Sequence, residues 1–475
     1  MRRFLYILLF VLCYTTLNAQ GYQAIHGSPY AGAVGIFNNP ASSINGITKW
    51  DFNILGVHAK VSSNAVRLDS FSFRNNDSAT AHGTEGFKRR WTHVITDISL
   101  FNIRYVHKNK HAFSIGLRAR TYTHSKAEPL NLLDSITRFQ GLLTANAKTP
   151  FLQGYAVHNG WLEGNINYST VLKENETDRI TLGGTLNIMK SISGAYFELN
   201  RVSFSQNIVG NRINYILNGG SGEYAYSANY DVFNSNFTPQ GTLRQFLLAQ
   251  AKTNIGLSLG AEWLIKESGY EDDIPAALQY NWKFGLSIMD IGGNKYTAGT
   301  GSIRFSAPNT TITDSGFIRK FSDVPDLNSL RDSLTTFFLN TENISPYTIR
   351  PPARIIFNID KSFGNHFYVN ADFNINLYST FPNENLRTRE LNMITITPRW
   401  EKQYLGIYAP MQYNAQGQFW AGIAIKAGPL LAGIHDLRWL GKITGLNGGA
   451  YIMLRVQPFA KREDGKGIDC PIIKY

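Results

Sequence analysis

The chain has 475 residues, a formal net charge of +12 and two cysteines. Cys13 lies in a predicted leader and Cys470 near the end, which excludes an internal disulfide framework and a thiolate metal cluster. Beyond the leader no run of 18 apolar residues occurs, which excludes a transmembrane helix. The 24 tyrosines, 29 phenylalanines and 42 glycines, with only 17% charged residues, point instead to a large β structure.

The chain opens "MRRFLYILLFVLCYTTLNAQ". Arg2 and Arg3, the apolar run Phe4 to Cys13 and small Ala19 before Gln20 predict a secretory signal peptide over 1–19. An exported chain rarely meets nucleic acid, so the basic balance reads as charge beside anionic lipid or sugar. Next comes "GAVGIFNNPASS", Gly32 to Ser43, in which Asn38-Asn39-Pro40 stops any helix or central strand. This stretch is either a compact turn with a role of its own or a lead-in to the strand expected at Trp50.

From Trp50 onward, period-two alternation recurs. "FSIGLRARTYT" sets Phe113, Ile115, Leu117 and Ala119 against Ser114, Gly116, Arg118 and Arg120. "INYSTVL" (Ile166 to Leu172), "ITLGGTLNI" (Ile180 to Ile188) and "IGLSLGAEW" (Ile255 to Trp263, with Glu262 on its polar face) alternate likewise. "LQYNWKFGLSI" places Leu278, Tyr280, Trp282 and Phe284 opposite Gln279, Asn281 and Lys283. "FYVNADFNINL" places Phe367, Val369, Ala371 and Phe373 opposite Tyr368, Asn370 and Asp372. Such segments exceed the roughly 5–6 residues of a typical soluble strand and suit the about 9–11 of a tilted strand crossing a bilayer.

One apolar and one polar face per strand fit a wall with lipid outside and a polar lumen. Backbone groups in lipid must all be paired, so the sheet must close. The expected fold is all-β, a transmembrane antiparallel outer-membrane β-barrel of about 14 strands over 50–459, with a tail at 460–475. Arg118, Arg120, Glu262, Lys283, Asn370 and Asp372 are its expected lumen-facing residues; the arginines either meet an anionic ligand in the lumen or, as buried charges normally do, pair with inward acids such as Asp372 or Glu262. Trp50, Trp91, Trp263 and Trp400, near segment ends, fit interfacial girdles.

Three insertions break the rhythm with helical spacing: Leu130, Leu133 and Ile136; Leu243, Phe246 and Leu247; Leu327, Leu330, Leu334 and Phe337. Each carries an apolar stripe to bury, and long loops place them on the outer side. "GLSLG" at Gly256 to Gly260 matches a nucleophile-elbow string, but the elbow needs a strand, sharp turn and helix, and Ser258 sits within a strand pattern. "HKNKH" spaces His107 and His111 four apart, yet Lys108 and Lys110 would repel a cation, so it reads as a hairpin turn. No phosphate loop, dinucleotide fingerprint or Ser-His-acid grouping emerges, so no enzyme activity, metal or cofactor is expected.

"SIMDIGGNKY" (Ser287 to Tyr296), "ITPRWEKQYLGIYAPMQYN" (Ile396 to Asn414) and "AGIAIKAGPLLAGIHDL" (Ala421 to Leu437) resemble a Bacteroidota outer-membrane barrel family of unknown function. "NNPAS" is similar to the N-terminal Asn-Pro-Ala element of the long-chain fatty-acid transporter (FadL-like) superfamily. That resemblance implies a lumenal hatch over 20–49, with Ile36, Phe37, Asn38, Asn39, Pro40 and Ala41 forming its plug. It implies transport of a hydrophobic or amphipathic small molecule, with outer-membrane lipid as surroundings. The superfamily also includes a shuttle component of the type IX secretion system, so a structural or secretion-associated barrel docking exported or periplasmic proteins is the alternative. No nucleic-acid partner is implied.

Overall fold

The structure is a computed structural model. It describes residues 23–71, 80–132, 139–209, 212–234, 250–266, 275, 277–309, 327–377, 386–441, 443–444 and 447–458. The expected signal peptide, the tail at 460–475 and nearly all of the insertion around Leu243 to Leu247 lie outside these residues.

A side-chain period of two puts alternate residues on opposite faces of every strand. In His111–Leu130, Phe113 and Ile115 are 50% and 54% exposed, whereas Ser114, Arg118 and Arg120 are buried. In Trp282–Gly292, Leu286 is exposed while Lys283 and Ser287 are buried. Apolar residues point out and polar residues in, the reverse of a soluble protein, so the outer face is made for hydrocarbon.

Fourteen staves close into one antiparallel ring. Trp50–Ser63, Lys88–His107, His111–Leu130, Leu152–Glu174, Asp178–Val209, Thr253–Ile265 and Trp282–Gly292 form the first half. Arg354–Ser362, Phe367–Asn376 and Met393–Glu401 follow, then Leu405–Tyr408 continued by Met411–Asn414, and Phe419–Ala421 continued by Ile423–Ala427. Pro410 interrupts the first of these composite staves because it has no N–H for the ladder. Leu430–Ile434 and Asn447–Val456 finish the ring, the last pairing back on Trp50–Ser63 from Phe52↔Val456 to Ser62↔Asn447.

Turns at 108–110, 175–177, 363–366, 402–404 and 428–429 join staves at one end, which is the periplasmic end in a barrel of this kind. Aromatic residues gather there. Trp50 meets Tyr105 at 4.5 Å between ring centroids, Phe113 meets Tyr168 at 5.3 Å and Trp263 meets Phe284 at 5.8 Å. Trp91, at the start of Lys88–His107, lies at the opposite end.

Four consecutive staves from Lys88–His107 to Asp178–Val209 rise beyond the rest at that outer end. The lower part of Asp178–Val209 pairs with Thr253–Ile265 and its upper part with Arg212–Tyr226, to which Ile303–Pro308 and Phe338–Asn343 add. The helix Leu327–Phe337 packs here, burying Leu334 and Phe337 against Tyr224, Tyr226 and Phe305 with Leu330 alongside. Its stripe is the one expected from sequence. The first insertion forms the helix Phe139–Ala145, later in the chain than its expected stripe.

A short ladder of Asn294–Tyr296 with Tyr347–Ile349 packs against this raised wall. Tyr296 donates to Asn159 Oδ1 at 2.6 Å and Tyr347 to the Gly194 carbonyl at 2.9 Å. Gly194 leaves room for the Tyr296 ring, since a Cβ there would stand 2.7 Å from it.

Candidate functional site: a filled lumen

The N-terminal segment lies inside the ring as three short 3₁₀ turns, Gln23–Ile25, Pro29–Phe37 and Pro40–Asn45. Its sequence fixes the bends. The Ser28 hydroxyl accepts from Tyr30 N–H at 3.0 Å before Pro29, and Asn39 Oδ1 accepts from Ala41 N–H at 3.0 Å before Pro40. Both are side-chain caps followed by proline at the first turn position, where its missing N–H costs nothing. Gly32 has φ 57°, and a Cβ there would come within 2.3 Å of the Asp51 carboxylate.

The six expected plug residues take these places. Ile36 and Ala41 are fully buried. The Phe37 ring lies 3.9 Å beneath the Arg118 guanidinium. The Asn38 carbonyl accepts from Ser287 Oγ at 2.7 Å, and Asn39 Nδ2 donates to the Ala261 carbonyl at 3.0 Å. Pro40 reaches the wall only because residue 183 is glycine: a Cβ there would be 2.4 Å from the Pro40 carbonyl oxygen. Gly260 makes the same allowance for Asn39, at 2.0 Å. Further on, Ser43 Oγ meets Ser169 Oγ at 2.6 Å, and Arg104 donates to the Ser43 and Thr48 carbonyls at 2.7 and 2.5 Å.

The expected lumen-facing residues are all buried, but their partners differ from expectation. Arg118 pairs with Asp97 at 3.2 Å and Glu163 at 2.8 Å. Arg120 holds both oxygens of Asp290, at 2.7 and 2.8 Å, and reaches Glu163 at 3.3 Å. Asp372 and Glu262 are not their acids. Asp372 meets His26 of the N-terminal segment at 2.5 Å, and Glu262 accepts from Asn45 of that segment at 2.7 Å. Lys283 donates to the Gly27 carbonyl, while Asn370 exchanges amide hydrogen bonds with Asn358 at 3.2 Å.

The reason is register. Glu163 lies directly opposite Arg118 on the next stave and Asp97 opposite Arg120 on the other side, so short cross-strand pairs form first. Asp290 reaches Arg120 from across the lumen. Its left-handed φ of 60° accompanies a register shift between Ile288 and Ile291, a bulge that re-aims the side chain. Arg354 joins Asp290 at 3.6 Å and also binds Glu390. Asp97, Glu163, Asp290, Arg354 and Glu390 escaped sequence reading; the first four signalled only as lone charges within strands, and Glu390 lies just before Met393–Glu401. A second network nearer the periplasmic end links Arg399 to Asp360 (2.6 Å) and Glu401 (3.1 Å), with Lys426 on Glu401 at 3.1 Å. Ser28 of the N-terminal segment donates to that same Glu401 at 2.6 Å.

Two other expectations concern local motifs. Ser258 is buried in its strand and accepts from Asp290 N–H at 3.1 Å. Lys108 and Asn109 adopt φ of 50° and 54° in the tight turn between His107 and His111.

One inward apolar region packs on the start of the N-terminal segment. Tyr408, Ala424, Leu431, Tyr451 and Met453 face the lumen and pack on Ala24, Ile25, Ala31 and Val34 of the N-terminal segment. This strip runs into a cavity of about 270 Å³ at the periplasmic rim, lined by Ile25, Leu430, Leu431, Met453 and Val456 beside Lys426 and Arg455. Against the middle of the segment, beside Phe37, Arg118 and Glu390, the free space is about 30 Å³, room for no more than a few water molecules.

A lipid-facing apolar belt, a closed ladder and a polar interior occupied by the chain's own N-terminal residues define an outer-membrane-type β-barrel with a filled lumen. The chain belongs to the DUF5723 family, a family of unknown function, whose model matches residues 40–434. Nothing among curated proteins matches it. Among solved structures it is similar to a Pseudomonas aeruginosa FadL homologue, at 10% identity and TM-score 0.46, covering 93% of this chain and 99% of that one. It is also similar to the Ralstonia pickettii toluene transporter TbuX, at 11% identity and TM-score 0.42 over 90% and 94% of the two chains. The P. putida toluene transporter TodX follows at 10% identity and TM-score 0.37, over 89% and 92%.

Proposed function

We propose that this barrel binds or passes a hydrophobic or amphipathic small molecule across the outer membrane, with the N-terminal segment acting as its hatch. The observation that carries the reading is the inward apolar strip from Tyr408 to Met453, which ends in the cavity at the periplasmic rim. Elsewhere the interior is mainly paired charges and amides, with smaller apolar clusters such as Ile95, Tyr122, Trp161 and Met189 that do not open into that cavity. Along the strip the burial of an apolar guest contributes about 25 cal/mol per Å². The small space around Phe37 means that passage requires the segment to yield.

The test is uptake by liposomes containing the purified barrel, with fatty acids and other apolar compounds as a panel. Saturable uptake above empty liposomes, reduced at least several-fold by Leu431→Asn, is the expected result. Neither uptake nor binding across the panel overturns the reading.

The filled lumen itself favours a second reading, a structural or secretion-associated barrel whose outer loops dock exported proteins. Mild crosslinking followed by pull-down tests it. Recovery of barrel-assembly chaperones alone counts against docking.

A further inference from the structure

Lys60 projects into the lumen from Trp50–Ser63 and is 2% exposed. The other buried cations of the interior have found compensation. Arg118, Arg120, Arg354, Arg399 and Lys426 are ion-paired, and Arg104 and Lys283 donate to backbone carbonyls. Lys60 has no carboxylate within ion-pair distance among the described residues. Its ammonium reaches the Gln412 amide oxygen at 2.8 Å and the Met393 sulfur at 3.9 Å, and stands 4.5 Å from the centre of the Trp420 ring. Two acids of this region bind other partners through one oxygen each, Glu390 to Arg354 and Asp372 to His26, while Glu390 Oε2 and Asp372 Oδ1 have no hydrogen-bond partner among the described residues. A buried ammonium without a counter-charge is among the costliest arrangements in a protein.

A second observation comes from the surrounding hydrogen-bond donors. Gln412 Nε2, Trp420 Nε1, Thr395 Oγ1 and the Asn374 amide have no hydrogen-bond partner among the described residues. All four residues are buried to at least the same degree as Lys60. The ladder brings them together: Gln412 lies opposite Thr395 on one side and Trp420 on the other. Met393, which touches the ammonium, lies opposite Asn374. A positive charge set among donors left unused is a site complementary to an anion.

We propose that Lys60, Gln412, Trp420 and Thr395, with Asn374, form a binding site inside the barrel for a small oxyanion, a carboxylate or phosphate. The proposal differs from apolar passage in chemistry: the site lies toward the outer end on the staves that carry the Tyr408–Met453 strip, with Gln412 beyond Tyr408 and Trp420 beyond Ala424, and its occupant would supply the missing counter-charge.

The test uses the full-length barrel purified in a zwitterionic detergent without oxyanions, titrated separately with sodium phosphate and sodium acetate at constant ionic strength set by sodium chloride. Thermal unfolding and tryptophan emission are followed. At least one anion is expected to raise the unfolding temperature saturably and change the emission. Lys60→Met is expected to lose both responses and to melt above the wild type in the oxyanion-free chloride buffer, because the uncompensated charge is gone. Gln412→Leu, which keeps the charge, is expected to weaken binding about tenfold, so the test survives a Lys60→Met chain that fails to fold. No saturable response of the wild type to either anion overturns the proposal. So does a response that Lys60→Met retains, or, if that chain does not fold, one that Gln412→Leu leaves unchanged.

Discussion

Gly183 lets a polar wall accept backbone, and Gly260 the Asn39 side chain, at contact distance, and that makes Gly183 a sharp test of how the N-terminal segment is seated. A Cβ at 183 would stand 2.4 Å from the Pro40 oxygen and 2.6 Å from the Ala41 nitrogen. Backbone atoms yield less readily than a flexible side chain, so Gly183→Val is expected to push Pro40–Ala41 off the wall at a cost of about 1–3 kcal/mol. Planar-bilayer recordings should show openings more frequent than in the wild type; an unchanged conductance trace would mean the segment stays seated. Asp290 tests the ionic interior. Asp290→Ala leaves Arg120 short of its bidentate partner and should destabilise the barrel by about 3–5 kcal/mol, read as a lower midpoint of urea unfolding. Because charge removed in pairs is far cheaper, Arg120→Met combined with Asp290→Ala should recover most of that loss, and with Arg120→Met alone the double-mutant cycle measures the coupling. The inward position of Arg118 and Arg120 was legible in the alternation of "FSIGLRARTYT". The identity of their acids was not, because cross-strand register depends on turn lengths and on the Asp290 bulge, which leave no local pattern.

At the scale of elements, the alternating staves were legible because period two is their folding signal, and a lipid outside with a polar inside makes it stronger. Their ends were not. The pattern beginning at Leu278 promised a strand four residues before Trp282, where it begins; Tyr280 instead turns inward and donates to Asp360 at 2.5 Å. Likewise "INYSTVL" was a fragment of Leu152–Glu174, whose upper part carries apolar Val157 and Trp161 among its inward positions and so blurs the polar-apolar contrast. The knot at Asn38-Asn39-Pro40 was visible as turn chemistry, while its neighbours in space came only with the closed ring. That segment can be fixed in place. Ser43 and Ser169 bring their hydroxyls within 2.6 Å, so Ser43→Cys with Ser169→Cys, in a chain carrying Cys470→Ser, is expected to form a disulfide with little backbone movement. If the segment is the hatch, oxidation should abolish uptake of any apolar compound the wild type admits, and a reductant should restore it. Uptake undiminished by a fully formed disulfide would route passage elsewhere than past Ser43.

For the molecule as a whole, the claim with the widest reach is that its outer face meets hydrocarbon. Exposed Ile115, Leu257, Leu286 and Ile425 belong to staves all around the ring, and depth along a stave should set the cost of charging that face. Leu257 is six residues above Trp263, which marks the periplasmic girdle through its contact with Phe284. Six residues span about 20 Å along a strand, or about 15 Å along the membrane normal at a tilt of about 40°. That is half of a hydrocarbon core of about 30 Å, so Leu257 sits near the midplane. Phe363 lies in a periplasmic turn after Arg354–Ser362 and is 63% exposed. Arginine at the midplane of a barrel wall costs about 2–4 kcal/mol and near the interface about 0–1 kcal/mol. Leu257→Arg should therefore lower the equilibrium unfolding free energy in lipid vesicles by about 2–4 kcal/mol, with Phe363→Arg nearly silent. In a soluble sandwich both positions would be solvent-exposed and the two substitutions would cost alike. Equal effects in vesicles would thus remove the membrane-spanning reading, whatever the lumen proves to admit.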